Sequence, residues 1–306
     1  MEPETAGNPA TGERWVRTSL RGLSAALGGR AAPTTIGRLL RANGYGLRGH
    51  RKRLTGPGHA ERDTQFRYLA EQRKAFTAVS NPRISIDAKK RERVGNFKNP
   101  GRRWCRRPTD VNTYDFPSDA VAQAIPYGVY DPQQNRGHVC VGTSGNTADL
   151  AADTVRDWWR QKGRKHYPAA TGLLIEADGG GSNGSRSRVF KHRLQAFADE
   201  TGLAVSVCHY PPGASKWNPI EHRLFSQISI TWAGVVLSTL AILVALIRRT
   251  TTQSGLKVTA RVMTKAYPTG RKVSRAQFKA IKLTRPETCP QWNYTIHPRT
   301  GGKNTA

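Results

Sequence analysis

Ile84-Ser85-Ile86-Asp87-Ala88-Lys89-Lys90 is the stretch on which the reading of the fold turns. Isoleucines alternate with Ser85 and Asp87, the period-2 pattern of a strand with one apolar face, so the Asp87 carboxylate lies opposite the isoleucines. A second stretch, Leu173-Leu174-Ile175-Glu176-Ala177-Asp178, is an apolar run that closes on a carboxylate, as a central strand does. Further strand patterns stand at Val94–Phe97, Tyr127–Tyr130, His138–Val141, Val205–Cys208 and Trp292–Ile296. Helical spacing separates several of them. One helix spans residues 60–79, with Phe66, Leu69, Ala70 and Phe76 facing inward and Asn81-Pro82 as its stop. Thr147 caps another, running to about Gln161, with Ala151, Val155, Trp158 and Trp159 on its buried side. A third covers residues 187–201, and Ser274-Arg-Ala-Gln277 opens a fourth with a capping box. Several strands in succession, then strands alternating with helices, predict an α/β fold with a mixed sheet flanked by helices.

The N-terminal part reads differently. Leu20, Leu23 and Leu27 share one helical face. After Gly28-Gly29 a second helix starts at Pro33-Thr34-Thr35, where either threonine serves as the cap, and Gly44 ends it. Ile36, Leu39 and Leu40 form its apolar stripe, with Arg38 and Arg41 off that stripe. Two short helices joined by a glycine turn, with basic residues on the second, resemble a helix-turn-helix whose second helix enters the major groove. The alternative is a small helical bundle that binds nothing. The expected organisation is a disordered tail at 1–13, a helix-turn-helix-like region at 14–56, a linker and helix at 57–80, a catalytic domain at 81–298 and a disordered tail at 299–306.

Charge narrows the partners. The 306 residues hold 49 Lys and Arg against 21 Asp and Glu, a net charge of +28. Between Pro33 and Asp110 the ratio is 20 to 6, so half of the surplus lies in about a quarter of the chain. That points to a polyanion, nucleic acid first, with binding that weakens steeply as salt rises. The cysteines, Cys105, Cys140, Cys208 and Cys289, include no pair at Cys-x-x-Cys spacing, which argues against a zinc ribbon or finger. The apolar run Ala233–Ile247 is shorter than the roughly 20 residues that cross a bilayer, and it reads as a buried helix or strand-turn segment. No membrane partner and a cytoplasmic, nucleoid-associated location are expected. The loop Gly179–Gly184 lacks the Gly-Lys-Ser/Thr ending of a phosphate-binding loop and the spacing of a dinucleotide fingerprint. Its glycines are expected to let the backbone pass close to metal and DNA. His209 and His222 have no serine in a strand-turn-helix context, so a Ser-His-Asp hydrolase is unsupported.

The chemical signal is three acids in a chain poor in acids. Asp87 lies on the first sheet strand, Asp178 closes a buried strand before the glycine loop, and Glu221 opens a helix after Asn218-Pro219-Ile220. Carboxylates at strand positions need compensation, and a hard divalent cation supplies it. Two such ions about 4 Å apart can activate a nucleophile and stabilise the leaving oxygen of a phosphodiester. Each acid also has a plainer reading. Asp87 would pair with Lys89 or Lys90, Asp178 would cap the glycine turn, and Glu221 would be the N3 acid of a helix capped by Asn218 with Pro219 at N1.

The segments Ile84–Pro100, Ala124–Asp131, Leu173–Arg186 and Cys208–Ser226, with the ending Trp292–Ile296, resemble the Rhodopirellula-type DDE transposases of bacterial insertion sequences, the ISAzo-thirteen family. The resemblance runs over residues 14–298. It implies an RNase H-like core with a DDE triad at Asp87, Asp178 and Glu221 and two Mg²⁺ or Mn²⁺ ions. It also implies a transposase that binds the terminal inverted repeats of its element. By the same resemblance it would cut a strand to leave a 3′-OH and join that end to target DNA by transesterification, as a homo-oligomer in the synaptic complex. The expected DNA contacts are Thr34, Thr35, Arg38 and Arg41 on the second helix, and Lys89, Lys90, Lys98, Arg102, Lys216 and Arg223 beside the catalytic motifs. The alternative is a truncated, catalytically inactive remnant that acts only as a DNA-binding protein; the start of the chain near the second of two helix-turn-helix units favours it, and the complete set of acids disfavours it.

Overall fold

The computed structural model describes residues 5–7, 14–16, 18–48 and 59–299. The expected tails lie largely outside these residues, as does most of the linker. The chain divides into two compact units, Met1–Thr55 and Gly56–Ala306.

The first unit pairs two short strands, β1 (Thr5–Gly7) and β2 (Arg14–Val16), antiparallel. Two helices follow, α1 (Leu20–Ala26) and α2 (Pro33–Ala42). Among its described residues, Leu23 and Ile36 are the buried large apolar side chains. The expected apolar stripe of α2 is corrected at Leu39, which is 49% exposed. The cap also differs. Ala32 is the N-cap, with no side-chain bond, and Pro33 occupies the first helical turn, so Thr34 and Thr35 lie inside the helix. Proline's fixed φ starts the helix without needing either hydroxyl. The C-terminus closes as read: Asn43 is the C-cap and Gly44 follows at φ +78°.

The second unit is built on a nine-stranded mixed sheet. In chain order its elements are α3 (Arg62–Ala78), β3 (Arg83–Ala88), β4 (Glu92–Val94), β5 (Ala122–Asp131), β6 (Arg136–Gly142), α4 (Ala148–Trp158), α5 (Arg164–His166), β7 (Gly172–Ala177), α6 (Arg188–Thr201), β8 (Ala204–His209), α7 (Ser226–Thr231), α8 (Leu240–Arg249), β9 (Lys257–Val262), α9 (Arg275–Lys279), β10 (Leu283–Thr284) and β11 (Asn293–Ile296). The spatial order is β10-β11-β8-β7-β3-β5-β6-β9, with β4 beside β5. β3, β5 and β6 form an antiparallel meander, and β7 and β8 join β3 in parallel. The order β6-β5-β3-β7-β8 with those directions is the RNase H-like sheet.

Alternation along the strands sorts two faces. Ile84 and Ile86 of β3, Tyr127 and Val129 of β5, and Leu173 and Ile175 of β7 share one cluster with Leu150, Val155 and Trp158 of α4 and Phe190 and Leu194 of α6. Trp158 and Trp159 are core residues, as their helical spacing predicted. On the other face Leu174 packs with Leu69 of α3, and Val139 and Val141 pack with Ile220, Phe225, Leu243 and Ile247. The apolar run at 233–247 is therefore mostly a packed helix, α8, capped by Thr239. No helix among the described residues is long and apolar enough to cross a membrane. On α3 the inward set is corrected: Leu69 and Gln65 are buried, Phe66 and Phe76 half-buried, and Ala70 exposed. Gln65 faces the sheet because it bonds the buried Asn293 side chain (2.8 Å) and the His209 carbonyl (2.7 Å).

Candidate active site

Three elements of the second face converge at the C-terminal ends of β3 and β7. Asp87 is the penultimate residue of β3, and its Oδ1 accepts a bond from the Ala88 amide at 2.7 Å. Asp178 follows β7 directly and opens the glycine loop. Glu221 begins a wide π turn, Glu221–Phe225, that leads into α7. Such turns are rare and recur at functional sites, because the extra residue redirects side chains.

A glycine lets that turn approach. Gly128 of β5 stands opposite Asp87 in the ladder. A Cβ there would fall 2.7 Å from the Phe225 ring and 2.9 Å from Ile220 Cδ1. The bare backbone therefore receives the segment that carries Glu221 and seats it beside Asp87. Asn218 fixes the segment from the other side. Its side chain is fully buried. Its amide donates to the Ile86 carbonyl (3.3 Å) and to Asp178 Oδ1 (3.2 Å), and its Oδ1 accepts the Ser85 hydroxyl. Ser85 Oγ in turn accepts the Ile220 amide at 3.1 Å. The capping reading of Asn218 and Glu221 is thus corrected. Asn218 does not use its side chain on the helix start; it ties β3, Asp178 and the π turn into one unit.

The acids feel one another. Burial, then the charge of Asp178, then that of Glu221 and a hydrogen bond to it, push the Asp87 carboxyl up to about 8. Burial and the Glu221 charge raise Asp178, against the lowering effect of the Asn218 amide. Among the described residues none of the three acids forms an ion pair. The pairing of Asp87 with Lys89 is corrected as well: Lys89 bonds Glu92 at 2.8 Å and lies over the Trp232 ring at 4.6 Å. Hard oxygen donors clustered without a cation are a donor set that suits Mg²⁺ or Mn²⁺.

The glycine loop after Asp178 is folded on itself. The Gly184 amide bonds the Gly181 carbonyl at 3.2 Å and the Ser185 amide bonds that of Gly179 at 3.3 Å. Gly181 needs to be glycine, at φ +72°. His209, fully buried, holds the loop at Asn183 O (2.9 Å) and the start of β11 at Trp292 O (2.9 Å). A cleft of about 1230 Å³ runs from Asp87 and Asp178 along this loop. Its cations are Arg186, Arg188, Lys191 and Arg285, none of which stood among the sequence candidates. Arg186 and Arg188 follow the glycine motif directly and could have been found there. Arg285 is brought in from far along the chain, and Lys191 reads as an ordinary helix residue. Lys191 is 3% exposed, and burial together with the Arg285 charge pulls its amine down to about 8.

The cations named from sequence lie elsewhere. Lys90 and Lys98 border a second cleft of about 570 Å³ with Arg91 and Arg93. Arg102 and Arg223 are exposed, and Lys216 is exposed over the Trp217 ring at 5.5 Å. In the N-terminal unit Thr34, Arg38 and Arg41 are exposed on α2 and Thr35 is half-buried.

Residues 1–298 match the family described as the Rhodopirellula transposase DDE domain. The chain belongs to that family. Solved structures of the Mos1 transposase are similar to this DDE-domain protein over part of their length. The pre-cleavage Mos1 transpososome aligns at 12% identity and TM-score 0.46, covering 74% of this chain and 65% of that one. The Mos1 strand transfer complex aligns at 13% identity and TM-score 0.46, covering 74% and 63%. The Mos1 paired end complex with Mn aligns at 12% identity and TM-score 0.44, covering 74% and 64%. The chain thus spans just under two thirds of the Mos1 chains it matches. No curated protein matches it.

Proposed function

We propose that this DDE-domain protein cleaves and rejoins DNA strands as the transposase of a bacterial insertion sequence, with Asp87, Asp178 and Glu221 as its catalytic acids. The observation that carries the reading is the meeting of three uncompensated carboxylates from β3, the end of β7 and the π turn at one end of the sheet. Two divalent ions held there, Mg²⁺ or Mn²⁺, supply Lewis acidity to the attacking and leaving oxygens of a phosphodiester. Asp87, Asp178 and Glu221, whose charges act on one another, would together hold the ions. Asn218 orients Asp178 and holds the turn that carries Glu221, so it acts as a positioning residue.

Arg186, Arg188, Lys191 and Arg285 line the cleft that opens on two of the acids, and they are the groups assigned to the strand's phosphates. Lys90 and Lys98, with Arg102, Lys216 and Arg223 exposed, are assigned to more distant backbone contacts, whereas Lys89 is bound to Glu92. Helix α2 presents Thr34, Arg38 and Arg41 at i, i+4 and i+7, one face suited to the major groove of the element's terminal inverted repeats. Cleavage at the element end leaves a 3′-hydroxyl, and that hydroxyl displaces a phosphodiester oxygen of the target strand, with two copies of the chain or more holding the paired ends.

The test uses the full chain, a supercoiled plasmid carrying the element ends, and Mg²⁺. Nicking at the ends is expected. Asp87→Asn, Asp178→Asn and Glu221→Gln should each lower it by on the order of 10³-fold or more, the several kcal/mol that metal-ion catalysis contributes, while DNA binding persists. Nicking that survives all three substitutions would remove the assignment.

A further inference from the structure

On the sheet face opposite Asp87, strand β6 and helix α4 bring together a second group of metal-competent side chains. His138 Nε2 lies 2.9 Å from Asp157 Oδ2. Cys140 Sγ lies 3.5 Å from that oxygen and 3.6 Å from that nitrogen. Among the described residues this is the group of three whose ligand atoms all fall within 4.8 Å of one another. His138 and Cys140 are 4% and 0% exposed. We propose that His138, Cys140 and Asp157 form a binding site for a Zn²⁺-class ion, separate from the acidic site, that ties strand β6 to helix α4.

Spacing supports it. A tetrahedral ion bonded to sulfur at about 2.3 Å and to nitrogen and oxygen at about 2.0–2.1 Å holds those ligands roughly 3.3–3.6 Å apart. The two edges to sulfur already have that length, and the edge from nitrogen to oxygen needs a few tenths of an ångström. Donor chemistry selects the ion: a thiolate with an imidazole favours Zn²⁺ or Co²⁺ and disfavours Mg²⁺.

The surrounding bonds orient the ligands inward. His138 Nδ1 is 2.9 Å from Thr259 Oγ1, and that hydroxyl donates to the Gly137 carbonyl at 3.4 Å. With its hydrogen directed at Gly137, Thr259 accepts from Nδ1–H, and Nε2 is the nitrogen that faces Cys140 and Asp157. Arg261 Nη1 donates to Asp157 Oδ1 at 3.0 Å, which leaves Oδ2 for the ion. Burial holds the Cys140 thiol protonated, with its pKa far above the ordinary value and the Asp157 charge adding to the effect. Ion binding therefore breaks the S–H bond, forms the metal–sulfur bond and releases to solvent both the thiol proton and the proton held between His138 Nε2 and Asp157 Oδ2. The thiolate and Asp157 then cancel the charge of the ion.

The inference does not depend on the transposase reading. Its test uses the full chain with Asp87→Asn and Asp178→Asn, which removes the acidic site, and Cys105→Ser, which removes the exposed thiol. Titration with Co²⁺ should give one bound ion with a thiolate-to-cobalt charge-transfer band and the ligand-field bands of a tetrahedral centre, both displaced by Zn²⁺. Cys140→Ser and His138→Gln should weaken binding by at least about 100-fold. X-ray absorption on the Zn²⁺-loaded protein with Cys140 intact should show one sulfur at about 2.3 Å, a measurement that stands even if the Cys140 variant fails to fold. No charge-transfer band, a band that persists in Cys140→Ser, or a zinc shell without sulfur would each overturn the proposal.

Discussion

Glu176 and Asp178 stand two residues apart on the same side of the β7 segment, and the protein treats them in opposite ways. Glu176 is 3% exposed and fully answered. Arg73 of α3 grips it with two bonds, at 2.8 and 2.6 Å, and the Tyr210 hydroxyl adds a third at 2.7 Å. Asp178 receives one neutral amide, at 3.2 Å, and lies near two further acids. Burial depth alone would single out Glu176 as the unusual residue. Compensation reverses that ranking. A buried acid with its own arginine is part of the scaffold, whereas acids gathered without a cation leave a demand that an ion from solution can meet. Asp131 extends the lesson: it is buried, but Tyr167 and the amides of Gln133 and Gln134 satisfy it, and it is scaffold too.

The sharpest way to break the comparison is to strip Glu176 of its partner. Arg73→Met should cost about 3 kcal/mol of folding stability, because it leaves a buried carboxylate unpaired. Chemical denaturation reads the loss, and adding Glu176→Gln should recover most of it. A double variant no more stable than Arg73→Met would mean that Arg73 acts by packing and not by charge. Next in size is Asn218→Ala, which removes the ties to Ile86 and Asp178 while leaving every acid in place. Mg²⁺-dependent nicking should fall by about 10–100-fold, as for groups that orient metal ligands. An unchanged Mg²⁺ dependence would strip Asn218 of its positioning role.

A third test concerns pH. Asp87 has a folded-state pKa near 8, above its unfolded value, so its contribution to stability is full below about pH 4 and is lost as pH rises through 8. In EDTA, stability should therefore decline between those limits by up to about 1.4 kcal/mol per pH unit from this group. Asp87→Asn should flatten the slope, and Mg²⁺ should oppose it by binding the ionised form. Thermal melts across pH 4–9 with and without Mg²⁺ measure all three. A slope identical in the variant would mean that the acids are not close enough to repel.

Much of the sheet was legible because alternation is a local property. Ile84-Ser85-Ile86-Asp87 shows its two faces within four residues, and Leu173–Asp178 shows a strand that ends at an acid. The caps at Thr147, Ser187, Thr239 and Ser274 are all occupied in the structure, and of these Thr147 and Ser274 were readable from sequence. The start of α2 was misread because proline at the first helical position makes a capping threonine unnecessary. Asn218 was misread for a related reason: its spacing to Glu221 fits a cap, yet Ser85 and Asp178 compete for the same side chain. The cations of the cleft were missed because Lys191 and Arg285 reach it from a helix and from a distant loop.

The amino-acid order by itself determined the α/β class, the placing of Asp87 on a strand and of Asp178 at a strand end, the excess of positive charge and the family resemblance. These follow from periodicity, composition and motif, which need no knowledge of neighbours. Tertiary structure alone decided which acids are answered and which are not. Arg73 reaches Glu176 across 103 positions, and Asn218 reaches Ile86 across 132. It also decided that Gly128 would yield its Cβ space to the turn bearing Glu221, and that His138 and Cys140 would meet Asp157 from another element. Electrostatic compensation acts through space over a few ångströms, and only folding sets which residues fall within that range.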